Sequence, residues 1–234
     1  MTTEPHDHEH TREYDPQHHH PHRDDHDDTM TYYRIMETAV RDLLIEKKLI
    51  NADQIRDQIE KMDARVPANG AKIVARAWSD MDYKNRLIND PKSAIAELGH
   101  DIGPLNLIVL ENTESVHNLV VCTLCSCYPR WILGLPPDWY KSREYRSRVV
   151  REPRKVLEEF GTLIDNQREV RVHDSTADMR YLVLPKRPDG TEELSEEDLV
   201  PLIGRDALIG VVEVKAPGCS IVFLRRKLDL CSFN

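Results

Sequence analysis

The sequence predicts an α+β protein: a helical N-terminal arm followed by a mixed β-sheet domain flanked by helices. Three observations carry that prediction. Apolar residues recur at helical spacing from Tyr32 to Leu98, strand-length apolar runs begin only after Gly103-Pro104, and helical segments separate those runs. The expected organisation is a tail at 1–29, a helical arm at 30–103, an α/β domain at 104–217 and a C-terminal tail at 218–234.

Each element has its own signal. Ile35, Met36, Ala39, Val40, Leu43 and Leu44 draw one apolar stripe at three- and four-residue steps. Asn51, with Gln54 three residues on, reads as a capping box that opens a second helix, whose inner face is Ile55, Ile59 and Met62. Pro67, Asn69 and Gly70 read as punctuation before a third helical face at Ile73, Val74, Ala77 and Trp78. A fourth helix runs from Pro91 through Leu98 and closes at Gly99. These short helices share no obvious single core, which is the pattern of an arm that packs on a partner. Leu105 to Leu110 and His117 to Val121 are strands, and a helix follows from Glu144 to Phe160. Val170–Val172 and Tyr181–Leu184 are further strands, Ser195 with Asp198 opens a helix to Ile203, and Leu208 to Val214 reads as a last strand.

The charge is unevenly placed. The 234 residues carry a net −9, of which residues 1–29 hold −7, so the rest is near neutral. A nucleic-acid binder would carry a basic face, and none is apparent. No apolar run approaches the ~18 residues of a membrane span, and no basic start followed by an apolar run marks a secretory leader. The reading is a cytoplasmic protein without membrane or nucleic-acid partners. The tail has too few apolar residues to offset its ordering entropy and is expected to be disordered. Its eight histidines (His6, His8, His10, His18, His19, His20, His22 and His26), set among carboxylates, could collect divalent metal ions; a plain solvated extension is the alternative.

Five cysteines in this setting point to a reducing compartment. Three of them, Cys122, Cys125 and Cys127, fall within six residues at the end of an apolar strand, too close to be ordinary packing. Cys219 and Cys231 lie far off in sequence and read as ordinary thiols. Zinc is one reading of the cluster, with His117, Cys219 or Cys231 as single candidates for a fourth ligand. A thioredoxin-like pair is another, but the third cysteine is then superfluous. A third follows from counting atoms in Cys125-Ser126-Cys127. If the amides of Ser126 and Cys127 lose their protons, two nitrogens and two sulfurs can share a plane with five- and six-membered chelate rings. Cys122 then rises to an axial position and the opposite site stays open. Such donors suit low-spin trivalent cobalt or iron better than zinc.

The segment resembles the metal claw of the nitrile hydratase α subunit and of its relative, the thiocyanate hydrolase γ subunit. The resemblance runs from Tyr32 to Pro217 and includes Asn69-Gly-Ala71, Ala94-Ile-Ala-Glu-Leu-Gly99, Leu133-Gly-Leu-Pro-Pro-Asp-Trp-Tyr-Lys141, Tyr145-Arg-Ser-Arg-Val-Val150, Asp174-Ser-Thr-Ala177 and Met179-Arg-Tyr-Leu-Val-Leu-Pro185. It implies a layered α-β-β-α body and a metal held by Cys122, Cys125, Cys127 and the amides of Ser126 and Cys127. It also implies Cys125 as a sulfinate and Cys127 as a sulfenate, with Co(III) favoured over Fe(III) because Thr123 stands where the iron branch has serine. Cys127 and Cys125 are then the catalytic residues, and 104–217 is the metal-binding domain. The implied partners are a β subunit that supplies two arginines to the claw, a small nitrile, and a cobalt-loading accessory protein. His117 reads as a structural histidine, and Arg143, Arg146, Arg148, Arg151 and Arg154, interleaved with glutamates, as a solvated or subunit-contacting face.

One departure matters. After Tyr128-Pro129 nitrile hydratases continue with Trp and then Pro, whereas this chain has Arg130 and Trp131. Arg130 matches the thiocyanate hydrolase pattern, and a guanidinium there would favour an anion. Leu135 to Tyr140 and Ala94 to Gly99 match nitrile hydratase instead. Arg130 and Trp131 are the candidate pocket residues, and a zinc-stabilised interaction module is the non-enzymatic alternative. Deleting residues 1–29 should lower cobalt loading under scarcity, measured as metal per chain, and leave turnover per bound cobalt unchanged.

Overall fold

The computed structural model describes residues 31–217. The tails expected at 1–29 and 218–234, with the eight tail histidines, Cys219 and Cys231, lie outside the described residues. By packing, the chain divides into two compact units after Ile55. In the first, α1 (Tyr32–Glu46) is capped by Thr31, whose hydroxyl accepts from the Arg34 amide. Much of its apolar stripe, including Ile35, Met36, Val40 and Leu43, stays exposed. The helix α2 (Ala52–Asp63) begins at the capping box read from sequence: Asn51 Oδ1 accepts from Gln54 N at 2.8 Å and Gln54 Oε1 from Asn51 N at 2.9 Å.

The second unit is built around α3 (Pro67–Ser79), which buries Ala71, Ile73, Val74, Ala75 and Ala77. Pro67 and Gly70 are therefore not punctuation but the first turn of this helix. Proline is suited to that turn because its missing N–H has no helical partner to lose. Gly70 leaves room for later helices, since a Cβ there would meet Leu133 Cδ2 at 2.5 Å and Leu208 Cδ1 at 2.8 Å. A short helix that the sequence reading missed, α4 (Met81–Asn89), is capped by Asp80, which accepts from Tyr83 N at 3.0 Å. Next comes α5 (Pro91–Glu97), closed as expected before Gly99. These three helices share one core with the strands, so they sit with the sheet unit rather than apart from it.

The strands are β1 (Asn106–Glu111), β2 (Val116–Val121), β3 (Glu169–Asp174) and β4 (Met179–Leu184). The α+β class stands, but the expected mixed sheet is two parallel pairs: β1 with β4, Val109 opposite Leu182, and β2 with β3, Leu119 opposite Val172. The reason lies in two matching links, 112–115 and 175–178. In each, a threonine amide donates to the carbonyl three residues on (Thr113 to Val116, 2.9 Å; Thr176 to Met179, 3.0 Å), and its hydroxyl accepts from that residue's amide. Each link passes the chain from one pair to the other, so β1 does not pair with β2, nor β3 with β4.

Between β2 and β3 run α6 (Arg130–Leu133), α7 (Asp138–Lys141), α8 (Arg143–Arg148) and α9 (Pro153–Glu159), the long crossover that a parallel pair requires. The single helix expected over Glu144–Phe160 is two, because Pro153 disfavours helical geometry at Glu152, whose φ is −139°. Arg148 spans the break with bonds to Glu152 and Glu159. After β4, α10 (Glu196–Leu199) starts at Ser195 and tightens into a 3-10 turn at Val200–Leu202, close to expectation.

The last expected strand, Leu208–Val214, is instead the end of α11 (Arg205–Ile209) followed by irregular chain. A short apolar run does not distinguish strand from buried helix. Gly210 decides it, with φ +90° and a position where a Cβ would lie 2.1 Å from the Asn118 carbonyl. That close approach seats the chain end on β2.

A buried polar network ties this end to the ladders. Asn112 Oδ1 accepts from Asn118 N at 2.7 Å and Nδ2 at 3.1 Å, and Asn118 Oδ1 lies 2.9 Å from His173 Nε2. His117 Nδ1 faces Asn112 Nδ2 at 3.4 Å and so acts as acceptor, leaving Nε2–H to donate to Gly210 O at 2.7 Å. His117 is thus the structural histidine expected. Burial is the main cause that pushes its pKa below the usual 6.5, with Arg168 and Arg154 acting the same way and Gly210 O and Glu213 opposing. His173 and His100 shift in the same direction, mainly by burial. A proton therefore binds the unfolded chain better. The stability these neutral rings contribute is complete above their unfolded pKa and is lost as pH falls through the folded values. Thermal melts from about pH 7 to about pH 5 should show a falling Tm, with a shallower slope in His117→Gln than in the native chain.

Candidate metal centre

The parallel pairing of β2 with β3 places Val121 opposite Asp174, at the carboxyl ends of both strands. The chain leaves β2 directly into Cys122, which is buried, then passes through Cys125, exposed, and Cys127, half-buried. Cys122 Sγ lies 3.5 Å from Cys125 Sγ, and Cys125 Sγ lies 3.3 Å from Cys127 Sγ. The three sulfurs lie within 4.8 Å of one another, the one such group of possible metal ligands among the described residues. The sequence reading brought the same three together.

Donor direction fits a chelating claw. The Cys125 amide donates to Cys122 Sγ at 3.3 Å. The thiol of Cys125 is drawn down to about 7, first by its bond with Cys127, then by Cys122, and also by the amides of Ser126 and Cys127, which face it. Burial is the first cause that pushes Cys127 up to about 12, reinforced by the other two thiols and opposed by Arg180. Three sulfurs converge, with the amides of Ser126 and Cys127 beside the middle one.

The loop has no regular structure of its own, and side chains hold it. Asp174 accepts from Thr123 N at 2.9 Å and from Thr123 Oγ1 at 2.5 Å. Arg146 Nη1 donates to Thr123 O at 3.4 Å and to Cys125 O at 3.3 Å. Tyr140 Oη donates to Cys127 O at 2.8 Å, and Tyr145 Oη to Val120 O at 2.6 Å. Both tyrosines belong to an edge-to-face aromatic cluster in which Trp139 meets Tyr145 at 4.9 Å and Phe160 at 4.8 Å. Edge-to-face packing adds about 0.5–1.5 kcal/mol per pair beyond burial, so the hydroxyls are presented from a stiff base.

Sequence reasoning missed these supports. Arg146 was read as part of a solvated or subunit-contacting face, and it touches the claw instead. Asp174 entered only as a letter in a resemblance; its place at the end of a strand paired with the cysteine-bearing one was the available signal. Of the candidate pocket residues, Arg130 is exposed at the start of α6, and the Trp131 indole lies over Gly103, with Nε1 3.3 Å from where a Cβ would stand. The cavity beside Trp131, lined also by Pro129 and Arg180, is only about 10 Å³.

Three convergent thiols on a strand-end loop, held by side chains of the paired strand β3 and of the crossover helices α7 and α8, define a tri-cysteine claw protein. The family model "Nitrile hydratase, alpha chain" matches residues 31–212. The low-molecular weight cobalt-containing nitrile hydratase subunit alpha of Rhodococcus rhodochrous is 52% identical over 177 residues, covering 74% of this chain and 84% of that protein. Thiocyanate hydrolase subunit gamma of Thiobacillus thioparus is 41% identical over 201 residues, covering 81% and 82%. Among solved structures, a double mutant of the Fe-type nitrile hydratase from Comamonas testosteroni Ni1 superposes with TM-score 0.70 at 42% identity, covering 80% of this chain and 94% of that one. A recombinant thiocyanate hydrolase with partially modified cobalt centres gives 0.73 at 41%, covering 80% and 92%. The chain belongs to the nitrile hydratase alpha-chain family, subunits of hydro-lyases. Among the described residues no helix is long and apolar enough to cross a membrane.

Asp174→Ala removes both anchors of Thr123. Its expected cost is about 1–3 kcal/mol in stability, with metal per chain falling on limited cobalt, read by elemental analysis beside a thermal melt.

Proposed function

We propose that the chain is the metal-bearing catalytic α subunit of a cobalt nitrile hydratase, hydrating a small nitrile to its amide. The convergence of Cys122, Cys125 and Cys127 carries the reading. The three sulfurs and the amide nitrogens of Ser126 and Cys127 would hold the ion, with Cys125 as sulfinate and Cys127 as sulfenate. When bound, Co(III) supplies a Lewis acid for the nitrile nitrogen. Fe(III) suits the same donors, and the cobalt-containing relatives together with Thr123 favour cobalt.

The residues of the chain supply the rest. Cys127, half-buried, presents its oxygen, or a water held by it, to the nitrile carbon. Water gives its oxygen to the carbon and one proton to the nitrogen, and the remaining hydroxyl proton then moves to the same nitrogen to give the amide; where the Cys127 oxygen attacks first, the water oxygen replaces it on the sulfur. Sulfinate oxidation at Cys125 withdraws charge from a sulfur whose thiol is already drawn down by its neighbours. Exposure of Cys125 and Leu124 on the loop supports a β subunit that covers the claw and brings arginines to the oxidised sulfurs. A cytoplasmic setting keeps the other thiols reduced, and a cobalt-loading accessory protein delivers the ion.

A second reading is a γ-type subunit of thiocyanate hydrolase, converting thiocyanate to carbonyl sulfide and ammonia. It is favoured by Arg130, exposed just past the claw, where a guanidinium meets an anion. Purified with its partner subunit, the protein should carry close to one cobalt per chain and a claw peptide heavier by about 48 Da, or by about 32 Da if the labile sulfenate is lost. Zinc with unmodified thiols would reject both readings. Amide release from a nitrile against ammonia release from thiocyanate separates them.

A further inference from the structure

A cation of this chain, apart from any that a partner subunit brings, holds the outer side of the claw loop. Among the described residues, no backbone–backbone hydrogen bond outside the helices and strands involves residues 123–127. The loop backbone is fixed by side chains instead, and most of these fix one end each. Asp174 holds Thr123, where the chain leaves β2, and Tyr140 holds the Cys127 carbonyl, where it turns toward α6. Between these points lies Cys125, the exposed cysteine and the middle sulfur of the three. Within the loop the Cys122 sulfur accepts from the Cys125 amide, and from outside it Arg146 reaches the backbone there, with a single nitrogen shared between the carbonyls of Thr123 and Cys125.

Arg146 is itself held. Its helix, α8, is capped by Ser142, whose hydroxyl accepts from Tyr145 N. The Ser142 carbonyl then accepts both the Arg146 amide at 3.2 Å and Arg146 Nε at 3.3 Å. The neighbouring residue, Tyr145, is buried in the aromatic cluster and donates to the carbonyl of Val120, one residue before β2 ends. One helical turn therefore grips the last strand residues with Tyr145 and the loop with Arg146. A planar guanidinium fixed at Nε leaves its terminal nitrogens little freedom, which a lysine ammonium would not match.

We infer that Arg146 is a positioning residue for the claw. By drawing the Thr123 and Cys125 carbonyls outward it keeps Cys125 turned toward Cys122 and Cys127, so that the sulfurs meet before any ion arrives. Its positive charge also lies beside a loop that gathers negative charge when the thiols bind metal. The inference rests on the reading of the claw as a metal site and concerns only how that site is held.

The test uses the protein with its partner subunit, comparing native chain, Arg146→Met, Arg146→Lys and, as a control on the same helix, Arg143→Met. Wild-type cobalt content tests the metal reading by itself. The inference is then read from release of cobalt to a chelator and from hydrogen exchange of the claw peptide. Loss of a charged donor from two carbonyls should speed release about tenfold in Arg146→Met, with Arg146→Lys in between. Exchange of the claw peptide should rise, while Arg143→Met stays at the wild-type rate and activity per bound cobalt changes less than release does. Wild-type release and exchange in Arg146→Met would overturn the inference. So would a lower Tm with both rates unchanged, which marks a role in folding alone. If Arg146→Met does not fold, Arg146→Lys decides between the same outcomes.

Discussion

The parallel pairing of β2 with β3 is the constraint on which the rest of the molecule depends. It sets Val121 and Asp174 side by side, and both strands run out at the same edge. From that edge come Cys122 on one side and the carboxylate that anchors the loop on the other. Parallel strands cannot be joined by a tight turn, so a long crossover is obligatory. The chain uses it to carry both the claw and the helices that brace it. Site and support thus come from one connection, whose ends the ladder holds at fixed separation.

The support works because it is distributed among different kinds of bond. Among the described residues, 123–127 make no backbone–backbone hydrogen bond outside the helices and strands. Carboxylate, guanidinium and phenol groups take over, each fixed by its own packing or capping bond. A single loss would leave a loop still held elsewhere. The polar network of Asn112, His117, Asn118 and His173 does the same for the ladders, pinning the chain end at Gly210 to β2 with the ring nitrogens assigned by their partners.

Local signals in the sequence were legible where one residue type has one reason to be present. The capping box at Asn51 and Gln54, the four strands, and the convergence of Cys122, Cys125 and Cys127 all read correctly. Local patterns failed where a distant contact decides. Gly70 is indistinguishable from a turn glycine until Leu133 and Leu208 are seen against it. Leu208–Val214 has strand composition, and only the approach of Gly210 to Asn118 forbids a strand. The pairing order was hidden because neither four-residue link looks different from a hairpin turn. At the site, cysteines announce themselves, whereas Arg146 and Asp174 are common surface residues whose meaning comes from which strand or helix they end up beside.

Exposure of Cys125 has a further consequence, which concerns time rather than geometry. Any small reactant that must modify or bind that sulfur can reach it only while the loop is open to water. Once a second protein surface closes over the loop, the sulfur's chemistry is sealed in whatever state it has attained. If the chain is the claw-bearing subunit proposed above, it would be finished in a fixed order: folding first, then the work at the exposed sulfur, and enclosure last.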